Sequence, residues 1–216
     1  MIDVPILNEE LKEILDRYRL LVQSIDFDKV ESCEDDVDAD DWCSIEYLES
    51  IKRKGKLHGG FPAILQGTCP ETDNFDYKEL DEKNSLVSSF DSVSNEILAW
   101  SGARQRALLA VYQPGGFISW HTNANASGYN VLFTWSETGD GQWEHIDPKT
   151  QEHVIIRDKK GWQCKFGYYG TYDEPDKVLY HSARTNCLRS TIGFIFNGDE
   201  RGKSMAQLLT EEISES

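Results

Sequence analysis

The chain has 216 residues, 38 acidic against 22 basic, for a formal charge of −16 at pH 7 and a sequence pI near 4.7. That length allows one sizeable domain with extensions, and 39% apolar content is enough to bury a core without disulfide or metal staples. A mean hydropathy of −0.54 and the lack of a long apolar run argue against a membrane span. The acid excess argues against nucleic-acid binding, which needs clustered Lys and Arg.

Residues 7–23 read as a helix, with Leu7, Leu11, Ile14, Leu15, Tyr18, Leu21 and Val22 on one face. Asn8 suits its N-cap, and Glu9 and Glu10 suit the positive end of the helix dipole. No secretory leader is expected at Met1–Pro5. The acid is concentrated early: residues 1–50 carry 16 acidic and 4 basic side chains. The run from Glu31 to Asp41 reads as a solvated loop, because it lacks the glycine and terminal glutamate of a calcium-binding loop. Residues 55–84, rich in Gly, Pro, Asp and Asn, read as an irregular excursion. A second helix is expected over 85–101, with Leu86, Phe90, Val93, Ile97 and Trp100 as its stripe and Gly102 as its stop.

From residue 103 the pattern shifts to β. Eight short runs, 104–112, 117–122, 129–136, 142–146, 152–157, 162–168, 178–182 and 189–197, are separated by turn signals such as Pro114-Gly115-Gly116 and Gly139-Asp140-Gly141. The expected architecture is mainly β with flanking helices, a closed or double-sheet barrel of about eight strands. The regions are then a helical and irregular 1–102 packed on the barrel, a barrel core at 103–198 and a C-terminal tail at 199–216. Cys33, Cys43, Cys69, Cys164 and Cys187 form no metal-binding or disulfide spacing, so reduced thiols and a cytoplasmic location are expected.

Two of the five histidines stand at strand ends. His121 closes GGFISWH after a Pro-Gly-Gly turn, and His181 closes DKVLYH sixty residues later. Arg189 opens a strand eight residues beyond, with Thr191 on the same face. Such a set suits a metal held by imidazoles and an anion held by a guanidinium, but spacing alone favours strand-end histidines making surface hydrogen bonds. His58, His145 and His153 read as ordinary, the latter two as an exposed cross-strand pair about the Asp147-Pro148 turn.

The stretch Leu108–Phe196 resembles the iron(II)/2-oxoglutarate-dependent dioxygenases of the prolyl-4-hydroxylase-like group. The residues that carry the resemblance are Tyr112-Gln113-Pro114-Gly115-Gly116, His121-Thr122-Asn123, His181 and Arg189-Ser190-Thr191. The resemblance implies a double-stranded β-helix (a jelly-roll or cupin-like barrel), Fe(II) and 2-oxoglutarate as cofactors with ascorbate as accessory reductant, O2, and a peptide or small-molecule substrate. It implies that His121 and His181 ligate iron, that Arg189 and Thr191 hold the distal carboxylate of 2-oxoglutarate, and that Tyr112 hydrogen-bonds the same cosubstrate. Arg184 is the alternative anchor. Tyr168, Tyr169 and Tyr172 lie in a link longer than the group's usual one and read equally as lining the mouth of the site or as a surface loop with aromatic packing, while Trp120 reads as core. The group's His-x-Asp is His-x-Asn here, so the third ligand would be the neutral amide oxygen of Asn123 or a water. Two readings follow: an oxygenase that accepts an amide ligand, or a catalytically degenerate barrel serving as a binding or structural module.

Overall fold

A computed structural model describes residues 1–30, 37–54, 60–70 and 77–215 of the chain. The N-terminal part holds β1 (Ile2–Val4), α1 (Glu9–Ser24), α2 (Ala39–Trp42), α3 (Ile45–Lys54), β2 (Leu65–Gln66) and α4 (Leu80–Ser101). The barrel strands are β3 (Gln105–Tyr112), β4 (Phe117–His121), β5 (Gly128–Ser136), β6 (Gly141–Ile146), β7 (His153–Arg157), β8 (Gly161–Tyr169), β9 (His181–Thr185) and β10 (Arg189–Phe196). The last element is α5 (Glu200–Ser214). His58, Cys33 and the acidic residues 31–36 lie outside the described residues.

The strands form two antiparallel five-stranded sheets, β1-β8-β5-β10-β3 and β2-β4-β9-β6-β7. Apart from the β6–β7 hairpin, successive strands from β3 onward alternate between the two sheets, which makes the barrel a double-stranded β-helix. The strand period of two explains both faces of the first sheet. In β5 and β10, Val131, Phe133, Trp135, Ile192, Phe194 and Phe196 point outward into an apolar core, and Asn130, Leu132, Thr134, Arg189, Thr191 and Ile195 point inward to a cavity. All eight residues of β10 are buried, as expected for a strand covered on both faces.

The outer core is closed by α1, α4 and α5, which contribute Leu11, Ile14, Leu15, Tyr18, Phe90, Ile97, Ala206, Leu209 and Ile213. Each fully buried large side chain there contributes about 1.5–3 kcal/mol. Asn8 caps α1 as expected, its Oδ1 accepting from the Leu11 amide at 3.0 Å. Gly102, at φ 62°, ends α4 in the left-handed conformation. α4 begins at Leu80, five residues before the apolar stripe suggests. Residues 200–214, within the expected tail, are the helix α5; Asp199 caps it through a 2.7 Å bond from the Gly202 amide, and its buried face completes the core. The second sheet is covered on its outer face by α3, where Leu48 and Ile51 meet Trp120 and Ile146. Trp120 is core as expected, its Nε1 donating to the Cys43 carbonyl at 2.9 Å.

Two expectations are corrected. His181 opens β9 rather than closing a strand at 182, because 181–185 is the stretch that pairs with both β4 and β6. His145 and His153 are not a cross-strand pair. His153 faces Ile146 in the register, so the two histidines point to opposite faces of the sheet. His145 is buried on the inner face, where burial lowers its pKa to about 4. His153 Nε2 meets the buried Glu144 Oε2 at 2.7 Å on the outer face. Cys43, Cys69, Cys164 and Cys187 are free thiols. Among the described residues no helix is long and apolar enough to cross a membrane.

Candidate functional site

The Pro114-Gly115-Gly116 turn, with Gly115 at φ 86°, reverses the chain between β3 and β4. It places Tyr112 at the end of one sheet, and β4 carries His121 in the other. His121 and His181 are direct partners in the β4–β9 ladder, so both rings project to the barrel interior. The ring centroids are 4.1 Å apart. His121 Nδ1 lies 2.8 Å from the Ser119 carbonyl and His181 Nδ1 lies 3.1 Å from the Leu179 carbonyl. A carbonyl accepts only, which assigns a proton to Nδ1 in each ring. Burial, and then the neighbouring His121, push the His181 pKa well below the usual histidine value, so the ring is neutral.

A cavity of about 150 Å3 opens beside these rings. It is lined by His121, His181, Asn123, Tyr112, Arg189 and Thr191 together. Its walls are mostly apolar, among them Leu108, Ile118, Leu132, Trp143 and Ala183. Asn123 follows β4 in a turn closed by the Ala126 amide on the Asn123 carbonyl at 2.8 Å. The intervening Thr122 turns away to meet the Tyr172 hydroxyl at 3.2 Å.

At the cation end, Arg189 is 2% exposed. Its Nε donates to Asp158 Oδ2 at 2.7 Å and its Nη1 to Thr191 Oγ1 at 2.8 Å. The Tyr112 ring lies 5.5 Å from the guanidinium, and burial raises the pKa of this tyrosine, which stays a neutral phenol. Thr134 Oγ1 meets Thr191 Oγ1 at 3.4 Å.

Four interior groups went unread in the sequence: Asp158, Gln163, Lys165 and Asn130. Gln163 Nε2 donates to Asp158 Oδ1 at 3.0 Å. Lys165 lines the cavity, 1% exposed, with its Nζ 3.8 Å from Asp158 Oδ1. The signal was the inverted alternation of β8, in which Trp162, Cys164 and Phe166 face the helices and Gln163 and Lys165 face inward. Of the three tyrosines in the link before His181, Tyr169 lines the cavity, its ring 4.9 Å from that of His181. Tyr168 instead donates to Glu174 Oε2 at 2.8 Å and packs on Tyr129. Arg184, the alternative anchor, donates to Asp40 Oδ1 at 2.7 Å and does not line the cavity. Among the described residues no group of three or more His, Cys, Asp or Glu could hold a metal ion; Asn123 lines the cavity with the two histidines.

No protein-family model and no curated protein matches the chain. Solved structures do. A Trichoplax adhaerens prolyl hydroxylase, in complex with a hypoxia inducible factor oxygen degradation domain peptide fragment, matches at 14% identity and a TM-score of 0.35, covering 93% of this chain and 97% of that one. A Pseudomonas putida prolyl-4-hydroxylase matches at 14% identity and a TM-score of 0.31, covering 82% and 99%. The viral collagen prolyl hydroxylase of Paramecium bursaria Chlorella virus-1, in its 2OG complex, matches at 12% identity and a TM-score of 0.28, covering 77% and 97%. The chain is thus similar over most of its length, at low identity, to solved prolyl hydroxylases.

Proposed function

We propose that the chain is an iron(II)- and 2-oxoglutarate-dependent oxygenase that hydroxylates a protein side chain or a small molecule. The observation that carries this reading is the single cavity lined by His121, His181 and Asn123 together with Arg189, Thr191 and Tyr112. Two imidazoles with their Nδ1 atoms tied to main-chain carbonyls, that of His181 neutral, match the donor state a metal needs. The Asn123 amide oxygen would be the third donor, a neutral one that weakens the set. Bound there, iron would supply the oxygen chemistry that side chains cannot. Arg189 and Thr191 receive the distal carboxylate of 2-oxoglutarate, and Tyr112 backs the guanidinium. Leu108, Ile118, Trp143 and Ala183 keep water from the reacting centre.

The test is succinate release from 2-oxoglutarate with iron and ascorbate. Wild type is expected to release succinate and His181→Ala to release none. No succinate from wild type, with no metal bound, overturns the reading. One residue favours a second reading, a binding module on the same barrel: Asn123 stands where a carboxylate ligand is expected. A wild type that is silent but becomes active as Asn123→Asp would establish that second reading.

A further inference from the structure

The buried charges at the cation end of the cavity do not balance. Arg189, Lys165 and Asp158 have side chains that are 2%, 1% and 0% exposed. Both Asp158 oxygens are engaged, Oδ2 by Arg189 Nε and Oδ1 by Gln163 Nε2. Lys165 Nζ has no hydrogen-bond partner among the described residues, and 3.8 Å to Asp158 Oδ1 is an ion-pair distance only. Two cations against one carboxylate leave a surplus positive charge in an apolar enclosure, an arrangement that is costly without a counter-ion. The surplus faces the cavity.

We propose that Lys165 is the residue that selects the anion: Arg189, already paired with Asp158, orients the carboxylate, and Lys165 supplies the net charge that binds it. The β5 register sets the spacing. Leu132 lies opposite Lys165 on one side, and Thr134 lies opposite Thr191 on the other. The Thr134–Thr191 hydroxyl pair therefore sits one layer over from Lys165, between it and the Arg189 layer. A carboxylate placed over that layer meets the ammonium on one side and the guanidinium on the other. The ligand class is a small carboxylate whose tail runs toward the histidines. A cavity of about 150 Å3 is the size that holds a molecule as large as benzene, which suits a five-carbon acid. Asp158 is a positioning residue, fixing the Nε edge of the guanidinium. The proposal deepens the oxygenase reading and rests on it for the identity of the ligand, while the anion site itself stands on the buried charges.

Titration supplies a readout that packing alone would not move. Burial lowers the Lys165 pKa to about 8, with Arg189 lowering it further and Asp158, Asp3 and Cys164 opposing. Tyr112, Tyr169, His121 and His181 line the same cavity. A bound carboxylate raises that pKa, so the affinity should be constant at lower pH and fall about tenfold per unit above pH 8. Calorimetry with glutarate, which has the distal carboxylate but no keto group for a metal, isolates this end of the site. Wild type should bind glutarate and take up a proton at pH 8.5, seen as a heat that varies with buffer ionisation enthalpy. Lys165→Met keeps the length of the side chain, and should bind about 30-fold more weakly or worse, with no proton uptake and a flat pH profile. Equal affinity and equal proton uptake in the two proteins would overturn the proposal, as would a wild type that does not bind glutarate. Glutarate binding through Lys165 without succinate release would leave this proposal standing and sink only the oxygenase reading.

Discussion

The two sheets of the barrel present opposite kinds of chemistry to one cavity. The second sheet offers His121 and His181, rings whose orientation is set by the main-chain carbonyls of Ser119 and Leu179. The first sheet offers Arg189 and Lys165, charged groups arranged about one another and about Asp158. Orientation by backbone is robust to substitution nearby, because no side chain can be removed to release it. Orientation by mutual charge is not, since deleting one partner leaves the others buried and uncompensated.

The largest expected effect tests that contrast directly. Asp158→Ala should cost about 3–5 kcal/mol in chemical denaturation, and adding Lys165→Met should restore part of it. A cost below about 1 kcal/mol would mean that the first sheet tolerates its charges singly and the contrast fails.

Alkaline pH gives the next largest effect. The Lys165 pKa is lowered in the folded protein from the ordinary 10.5 to about 8, so above pH 8 the unfolded chain holds the proton more tightly than the native one. Native stability therefore rises with pH over 8–9.5, by up to roughly 2 kcal/mol on this group's account, and is flat there in Lys165→Met. Urea denaturation of the pair at several pH values checks the difference; parallel curves would place the surplus charge elsewhere.

The second sheet should respond through metal affinity, with fold stability nearly constant. Asn123→Asp adds a negative ligand beside the two imidazoles, and zinc or iron affinity should rise by about tenfold or more, close to 1.4 kcal/mol. His181→Leu should remove binding while shifting stability by only about 1.5 kcal/mol. Loss of cooperative unfolding in His181→Leu would show that the histidines hold the barrel together. The smallest effect lies outside both sheets: Asn8→Ala should cost about 1 kcal/mol through the α1 cap and leave ligand binding unchanged, a control for general loosening.

The sequence made the barrel legible where local rules govern it. Glycine- and proline-rich turns marked strand ends, and the His121 strand could be read from its apolar run, whereas the run before His181 precedes β9, which begins at the histidine itself. α3 was missed although Leu48 and Ile51 form its buried face, because ten residues offer a short stretch of periodicity. His145 and His153 were misread because a hairpin register one residue off sends a side chain to the other face. Lys165 was invisible for a different reason. A lysine in a strand is read as solvent-facing, and only the packing of Trp162, Cys164 and Phe166 against the helices shows that the other face is interior.

The position of β10 has a consequence for how the chain reaches this state. Among the described strands it comes last in chain order, yet it lies inside the first sheet, between β3 and β5. Until residue 196 has emerged and bridged partners some eighty residues upstream, β3 has no neighbour to its inner side and Asp158 has no guanidinium. Such long-range closure places folding at the slow end, on the order of milliseconds to seconds. A nascent chain stopped short of Arg189 would hold every described strand except β10 and still present an open seam, so chaperone retention should end abruptly as β10 clears the ribosome, rather than decay gradually with length.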